Sequence, residues 1–451
     1  MTSDLIRKSI TFSLIFTLLI KVVFSEYSAV GLIAIFIFLQ QLCLFILQLS
    51  TTIPFRSLFA VMMCLYMLLG PSMVYNGLEQ YQFFKMKVNE NDYFFYVMPA
   101  VILFILGLFF QSKSEGEKID IKLISAFIER NKQLPFFLLG IGFTSYFISY
   151  FFYGSITFVF YLIGSFQYVG LFLMLFGDYK FNMVWLLSVL AYAIGNALFF
   201  GMFNDLLTWM ILGGAVICIK YKFSLKTRII ALISFCLLAI FIQTIKQSYR
   251  EATWVGGQEA SIETLQEASR KSQKSNSLLS LENLAPQVTR INQGWIIASI
   301  MDNVPRKQPF ANGETIALYL KSALLPRFLA PDKLNAGDRA IFMKYTEVPI
   351  TQGTSMAISS VGDAYCNFGI YGGWVFMFLY GYLFNFTLKL IGKYSKFYPS
   401  LVLFATIIFV YPIRPDCELQ TILGHLLKSS FLVFIIFQLW KKEFRIKFLN
   451  A

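Results

Sequence analysis

Charged residues and histidine are scarce in this sequence. Of its 451 residues only 14% are Asp, Glu, Lys or Arg, and His425 is the single histidine. Hydrophobic residues make up 57%, and a soluble domain could not bury so much apolar surface, because a single core stops growing at about 250–300 residues. The composition therefore excludes a large soluble protein and indicates a chain that is solvated by lipid.

Cysteine pairs and acidic clusters are lacking as well. The six cysteines include no CxxC pair, and Cys43, Cys64, Cys218 and Cys236 lie inside apolar segments. This pattern indicates neither a zinc site nor a disulfide framework. The sequence shows no compact acidic cluster of the kind that a hard divalent cation requires, so we predict no metal and no cofactor. A signal-peptide cleavage site is also missing, and the first apolar run is expected to stay as a helix.

Long apolar runs dominate what is present. The chain contains 50 Phe, its mean hydropathy is +0.64, and it divides into runs near the length that spans a hydrocarbon core of about 30 Å. They predict an all-α polytopic membrane protein of about twelve transmembrane helices, of which the eleventh is short enough to be tilted or re-entrant. The runs cover residues 9–25, 28–49, 57–75, 93–111, 135–153, 156–176, 183–201, 204–220, 228–246, 370–391, 398–412 and 420–440.

The net charge is +13, and the distribution of its basic residues along the chain indicates the membrane topology. Lys and Arg concentrate in alternate short connections, and the positive-inside rule then places both termini in the cytoplasm. Residues 247–369 contain no spanning run and are expected to form a large extracytoplasmic loop. We predict three parts: an N-terminal membrane domain of about nine helices (1–246), this loop (247–369), and a C-terminal membrane segment of about three helices (370–451). Nucleic acid is not an expected partner.

The loop carries cations suited to phosphate. Arginine presents a planar fork that binds phosphate oxygens in pairs. Arg327 and Lys333 lie around Pro326 and Pro331, which restrict the backbone and would hold the two cations in a defined turn. The other reading of such cations is a solvated loop face that attracts anionic lipid headgroups. The remaining candidates of this kind in the loop are Arg290 and Arg339.

Two further groups of polar residues lie near the C-terminal helices. Asp363, Tyr365 and Asn367 alternate with glycines just before an apolar run, although glycines there also serve helix packing. Arg414 and Asp416 lie in the last outer loop. His425 and Lys428 follow on one helix face, where ionisable groups usually face a polar cavity or a partner. Alternatively, this pair is an interfacial histidine and a snorkelling lysine.

Taken in order, these motifs resemble those of the Wzy-type polymerases of bacterial surface polysaccharides. The similarity follows Arg290-x-Asn292, Gly313, Pro326-Arg327 with Pro331-x-Lys333, the segment from Gly362 to Gly369, and Arg414. It covers roughly residues 285–430 by motif and the whole chain by hydropathy plan. The resemblance implies a GT-C-like membrane glycosyltransferase in the bacterial inner membrane. It would polymerise oligosaccharide repeat units carried on undecaprenyl diphosphate, with membrane lipid and a chain-length regulator as further candidate partners.

The resemblance also suggests roles for individual residues. Cations would stabilise the charge that develops on the leaving diphosphate. The candidates for this are Arg290, Arg327, Lys333 and Arg414, with Arg339 in reserve. A base would take the proton of the acceptor hydroxyl. The candidates for the base are Asp363, Glu314, Asp416 and His425. Tyr365 and Asn367 would hold sugar by stacking and hydrogen bonding.

Three other functions compete with this one. The related O-antigen ligase, which moves finished glycan to lipid A core, usually carries a histidine in its large loop, and this loop has none. A repeat-unit flippase or transporter usually shows two matching halves or helices broken at mid-membrane, whereas the polar residues here concentrate in one loop. A purely structural membrane protein would leave the arginines unexplained.

Overall fold

The computed structural model is helical wherever it is described. It describes residues 3–149, 151–152, 155–179, 182–200, 203–250, 263–264, 266–267, 288–325, 334, 339–351, 356–440 and 444, and these contain no β-strand. Numbered in chain order, the helices are α1 Ser3–Val23, α2 Ala29–Gln48, α3 Phe55–Leu78, α4 Glu90–Phe109, α5 Ile121–Arg130, α6 Leu134–Ser149, α7 Ser155–Gly164, α8 Phe166–Phe176, α9 Asn182–Phe200, α10 Asn204–Tyr221, α11 Leu225–Arg250, α12 Gly294–Asn303, α13 Glu314–Leu324, α14 Arg339–Thr346, α15 Ser359–Ser395, α16 Leu401–Phe409 and α17 Leu419–Leu439.

Seven segments of the described chain are long and apolar enough to cross a membrane. They are α2, α3, α4, the pair α7–α8 over Thr157–Phe176, α11 over Leu225–Gln243, α15 and α17. Each coincides with a predicted run, which confirms a multi-pass helical membrane protein. Two further apolar helices are shorter, Leu134–Ser149 and Met183–Phe199. The count of twelve crossings stays a prediction. The nine residues of α16 are all buried and extend about 14 Å, so this helix lies within the protein.

Polar residues set the starts of several helices. Ser28 caps α2 by accepting a hydrogen bond from the N–H of Gly31 (2.9 Å). Asn89 caps α4 through the N–H of Asp92 (2.9 Å), and Asp120 caps α5 through Leu123 (3.1 Å). These side chains satisfy N–H groups that have no partner inside a helix, and apolar runs therefore begin at defined residues.

The core is built on the close pair α4 and α15. A Cβ atom at Gly381 would overlap the carbonyl oxygen of Phe104, and one at Gly107 would overlap that of Phe378. Small residues let membrane helices approach closely, so the dispersion contacts along this interface are dense. The Trp374 indole also donates a hydrogen bond across the pair to the Tyr96 carbonyl (2.9 Å).

A buried ion pair lies at the end of the bundle that is distant from residues 288–351. Arg56, at the start of α3, is fully buried and pairs with Glu117 at 2.7 Å. Asn385 of α15 accepts hydrogen bonds from Nε (3.1 Å) and Nη2 (3.0 Å) of the same guanidinium. Because a buried charge is tolerated only when it is paired and hydrogen-bonded, this hydrogen-bonded ion pair fixes the relative position of α3 and α15.

Two long helices are irregular at the opposite end. α3 contains π-helical turns at Leu65–Leu69 and Val74–Leu78, and such turns are frequent at functional sites. The chain before α12 packs onto this stretch, where the N–H of Gln293 donates to the Tyr66 carbonyl (3.3 Å). α15 breaks at Gly369, whose φ of 65° is one that glycine adopts at low cost. The predicted boundary between loop and C-terminal segment falls at this residue, and the division into three parts stays a prediction.

Candidate functional site

A compact turn between α16 and α17 holds the central residues of the site. The N–H of Arg414 donates to the Tyr411 carbonyl (2.9 Å), and the N–H of Cys417 donates to the Arg414 carbonyl (3.2 Å). Glu418 lies at the N-cap of α17 and accepts a hydrogen bond from the Thr421 hydroxyl (2.7 Å). The turn thereby groups one cation and two carboxylates at the positive end of the α17 dipole.

The Arg414 guanidinium is the hub of this turn. Its Nη1 lies 3.1 Å from Asp205 of α10, and its Nε lies 3.8 Å from Asp416. Burial opposes its charge, but Cys417, Asp416 and Asp205 outweigh this and raise the pKa of Arg414. Nε has no hydrogen-bond partner within the described part of the chain, so it is a buried donor that is available to an anion.

Arg290 approaches the same turn from the predicted loop. It is an exposed residue, yet the surrounding protein desolvates it enough to lower its pKa, and Tyr66 and Asp416 act in the opposite direction. Arg290 therefore lies within electrostatic range of Asp416, which Arg414 approaches to 3.8 Å, although the two arginines are far apart in the sequence. Tyr66 belongs to the first π-helical turn of α3.

His425 and Arg414 both contact the ring of Tyr411. The Tyr411 ring stacks on His425 with centroids 4.7 Å apart, and the Arg414 guanidinium lies 5.2 Å from the same ring. Phe158 of α7 meets His425 edge-on at 6.1 Å, and Lys428 Nζ lies 5.0 Å from the Phe158 ring. His425 is 1% exposed; neither ring nitrogen makes a hydrogen bond of good geometry among the described residues, and the Ile408 backbone acts on the ring as a weaker partner.

Asp363 is the fully buried carboxyl of the site. Neither of its oxygens makes a hydrogen bond of good geometry within the described chain, but the Tyr319 hydroxyl and the backbone N–H of Leu419 act on it as weaker donors, and Glu418 opposes its charge. Burial, and next the charge of Asp363, raise the pKa of Tyr319 well above its usual value. An unmade buried hydrogen bond costs roughly 1–3 kcal/mol, so unpartnered groups in a native core call for a functional explanation.

Two residues predicted to bind sugar, Asn367 and Tyr365, make contacts inside the protein. The Asn367 amide donates to the Thr315 hydroxyl (2.6 Å) and to the Asp363 carbonyl (2.8 Å), and its oxygen accepts from the N–H of Gly313 (3.0 Å). Tyr365 donates to the Val304 carbonyl (3.4 Å) and packs against aromatic rings. Both side chains hold α13 and the chain around α12 against α15, and their role as sugar ligands stays a prediction.

The remaining predicted residues contribute less to this picture. Glu314 is exposed in the first turn of α13, and Arg339 donates from Nε to the Ile350 carbonyl (2.7 Å). Arg327 and Lys333 lie outside the described residues. Their neighbour Leu334 is described, and its carbonyl accepts a hydrogen bond from Gln420 of α17 (3.0 Å), beside Glu418.

Sequence reasoning missed Asp205, which the structure shows to be the principal partner of Arg414. Its second oxygen accepts a hydrogen bond from the Tyr161 hydroxyl (2.9 Å), so it ties α7, α10 and the turn together. An acidic residue inside a predicted apolar run was the available signal, because such residues are costly there and usually functional. Within the described chain, no group of three or more His, Cys, Asp or Glu side chains is placed to hold a metal.

Fold and site together define a multi-pass helical membrane protein with a buried polar cluster at one end of its bundle. The chain belongs to the family of the domain of unknown function DUF8712, whose model matches residues 94–411, more than two thirds of the sequence. That match includes Arg290 and Asp363 and ends just before Arg414, Asp416 and His425. No curated protein and no solved structure matches the chain.

Proposed function

We propose that this protein is a membrane glycosyltransferase that polymerises oligosaccharide repeat units linked to undecaprenyl diphosphate. The observation that carries the proposal is the Arg414 guanidinium, paired with Asp205 and Asp416 next to buried polar groups with unused hydrogen-bonding capacity, while Arg290 lies within electrostatic range of Asp416. A diphosphate offers several anionic oxygens to such donors, and charge-assisted hydrogen bonds to arginine are among the strongest in proteins.

The chemistry requires one bond to form and one to break. A hydroxyl at the non-reducing end of a new lipid-linked unit attacks the anomeric carbon of the growing chain. The bond from that carbon to the diphosphate oxygen breaks, and undecaprenyl diphosphate leaves with the electron pair. Arg290 and Arg414 stabilise the charge on this leaving group. His425 or Asp363 accepts the proton of the attacking hydroxyl, since both present weakly hydrogen-bonded acceptor atoms beside the turn.

The proposal includes a location and an orientation. The chain lies in the bacterial inner membrane with about twelve crossings in a GT-C-like arrangement. Both termini are cytoplasmic, and the cluster opens to the extracytoplasmic face. The Lys and Arg bias of the short connections supports this orientation. A diphosphate at the end of a membrane-embedded polyprenyl chain lies near the depth at which the turn joins α16 to α17.

Alanine variants of the two arginines test the proposal. Loss of one charged hydrogen bond costs roughly 1.5–3 kcal/mol, which corresponds to about ten- to a hundred-fold in rate. We expect Arg290→Ala and Arg414→Ala to abolish long polysaccharide chains while the amount of protein in the membrane stays normal. The matched control is Arg306→Ala, because Arg306 is exposed and pairs only locally with Asp302 at 2.7 Å. Normal chain ladders from Arg414→Ala would refute the proposal.

Arg327 provides a second prediction, which rests on the sequence alone. The segment between Pro326 and Pro331 is expected to present Arg327 to the diphosphate. Arg327→Ala should then remove long chains, and Arg327→Lys should recover only part of them, because lysine lacks the planar fork. Gel analysis of the polysaccharide at matched protein levels measures this. Full recovery with lysine would show that Arg327 serves only as a surface charge.

A transporter is the second candidate, and one feature favours it. The crossing Thr157–Phe176 is interrupted at Ser165, between α7 and α8, and the amide of Gln167 just beyond is fully buried without a hydrogen-bond partner in the described chain. Broken helices with buried polar groups are typical of transporters. Translocation of intact lipid-linked units without elongation would decide for this candidate.

A further inference from the structure

Helix α11 is attached to the bundle near both of its ends. At its first turn, Arg228 donates from Nη1 to the carbonyls of Ile46 (2.8 Å) and Leu49 (2.8 Å), at the C-terminal end of α2. Near its last turn, Tyr249 is fully buried and donates to the Leu198 carbonyl of α9 (2.8 Å). Arg228 and Tyr249 are about 30 Å apart along the helix axis, which is close to the thickness of the hydrocarbon core.

Between these attachments α11 packs poorly. No residue of its apolar stretch Leu225–Gln243 is buried. Its most protected side chains recur at helical spacing, and even these are only half-buried: Leu232, Phe235, Ala239 and Ile242. A helix that contributed to the core would bury such a stripe completely. The inner face of α11 therefore borders a space that the described residues do not fill.

Helix α10 forms the opposite wall of this space. The connection at residues 222–224 joins the two helices at one end, and Met210 of α10 and Ile242 of α11 pack on the same small cluster at the other. Gly214 lies one turn beyond Met210 on that face, and a Cβ atom there would have no heavy atom within 4 Å. We call the space between α10 and α11 the α11 window.

One end of the α11 window adjoins the polar cluster. Leu206 belongs to the cluster of apolar residues that holds the end of α11, together with Ile245 and Tyr249. Its immediate neighbour Asp205 forms the ion pair with Arg414. An apolar slot of roughly membrane thickness therefore begins beside a guanidinium whose Nε has no hydrogen-bond partner among the described residues.

We propose that the α11 window binds the polyprenyl chain of the lipid-linked substrate while its diphosphate lies at Arg414. The inference rests on the proposed function and adds the place of the tail. The occupant must be long, apolar and thin, with an anionic group at one end, because both walls are apolar and the cation lies at only one end. A tail held there fixes the depth of the anomeric carbon beside the buried polar groups.

Photolabelling of the full-length protein in phosphatidylcholine nanodiscs tests this inference. The probe is undecaprenyl diphosphate with a diazirine in its prenyl chain, and the labelled peptides are identified by mass spectrometry. We expect adducts to concentrate on the facing walls of α10 and α11. Gly214→Trp should fill the window and reduce these adducts about tenfold, a change that corresponds to ~1.4 kcal/mol. The matched control is Gly140→Trp on α6, whose Cβ position is equally open.

Each other outcome contradicts the inference in a distinguishable way. Adducts spread evenly over exposed helices such as α1, or unchanged labelling in Gly214→Trp, would exclude a specific tail site. Loss of the adducts on adding excess phosphatidylglycerol would identify an ordinary bilayer lipid, and a dimer that Gly214→Trp dissociates would identify a second copy. If Gly214→Trp fails to fold, Ala239→Phe fills the window from the other wall. If the probe labels another part of the protein and polymerisation is intact, the α11 window is overturned and the proposed function is not. If the probe labels no specific site and the protein does not polymerise repeat units, the proposed function is overturned as well.

Discussion

The Tyr411 ring contacts the two polar side chains that matter most to the proposed chemistry. Arg414 and His425 both contact it, so the anion-binding group and a candidate base are held at a fixed separation by one aromatic side chain. Neither depends on a long flexible loop, because both belong to the turn and first turns of α17. This arrangement suits preorganised stabilisation of a leaving group.

Replacement of His425 by phenylalanine separates packing from chemistry. Phenylalanine retains the stack on Tyr411 and removes both ring nitrogens. If His425 is the base, His425→Phe should lower polymer formation by about a hundred-fold or more, because positioned bases contribute about 10²–10⁴-fold. The melting temperature should stay close to wild type. Undiminished polymer formation would remove His425 from the chemistry and leave Asp363 as the candidate base.

Asp205 should act on activity through Arg414. The pair is only partly exposed, at 18% and 33% for the two side chains, and asparagine retains the shape of the aspartate and one of its oxygens. We expect Asp205→Asn to reduce polymer formation far more than it reduces the melting temperature. Asp205→Glu retains the charge and should restore part of the activity. Equal loss in the two variants would show that Asp205 has only a structural role.

At the scale of single residues, the sequence identifies candidate site residues better than it predicts which of them contact one another. Arg414, His425 and Asp363 were identifiable because ionisable groups are costly near apolar runs. The approach of Arg290 to Asp416 was not, since it depends on how residues 288–294 pack onto the π-helical turns of α3. Arg56 lies in a short connection between two predicted apolar runs, and the structure buries it in an ion pair. Local sequence carries no sign of a partner that lies 329 residues away, as Asn385 does.

Among the helices, α4 and α15 form the frame to which both ends of the bundle are fixed. Their close approach depends on glycines, and α15 carries Asp363 at one end and Asn385 at the other. Hydropathy predicted both segments and began the second at residue 370, directly after the break at Gly369, but it did not predict the helical stretch from Ser359 up to that break. Ser360, Asp363 and Asn367 lower the hydropathy of this stretch, and a buried polar stretch is not separable from a solvated one by composition.

Gly381 should be intolerant of even the smallest side chain. Its Cβ would overlap the Phe104 carbonyl oxygen, so the helices must separate, and overpacking of this kind costs about 1–3 kcal/mol. We expect Gly381→Ala to lower the thermal unfolding midpoint of the purified protein. Gly214→Ala is the control, because its Cβ position is open and alanine favours a helix. Equal midpoints for Gly381→Ala and wild type would contradict the close packing of α4 and α15.

For the whole molecule, the placement of Lys and Arg in the sequence predicts how the bundle is oriented across the membrane. Asn312 and Lys113 are exposed positions, one in the predicted extracytoplasmic loop and one in a predicted cytoplasmic connection. Single cysteines at these positions, with the native cysteines replaced, report their side of the membrane. An impermeant thiol reagent on spheroplasts should label Asn312→Cys and spare Lys113→Cys. The opposite pattern would invert the topology and place the cluster in the cytoplasm.

Reconstitution of the purified protein with lipid-linked repeat units tests the proposed polymerisation most directly. Wild-type protein in proteoliposomes should convert single units into a ladder of longer chains and release one undecaprenyl diphosphate for each new glycosidic bond. Arg414→Ala should do neither. A single transfer to lipid A core would indicate a ligase, and passage of intact units across the bilayer without any elongation would indicate a transporter. Either result would contradict the proposed polymerisation. It would also be contradicted if the ladder-forming activity of wild-type membranes purified with another protein.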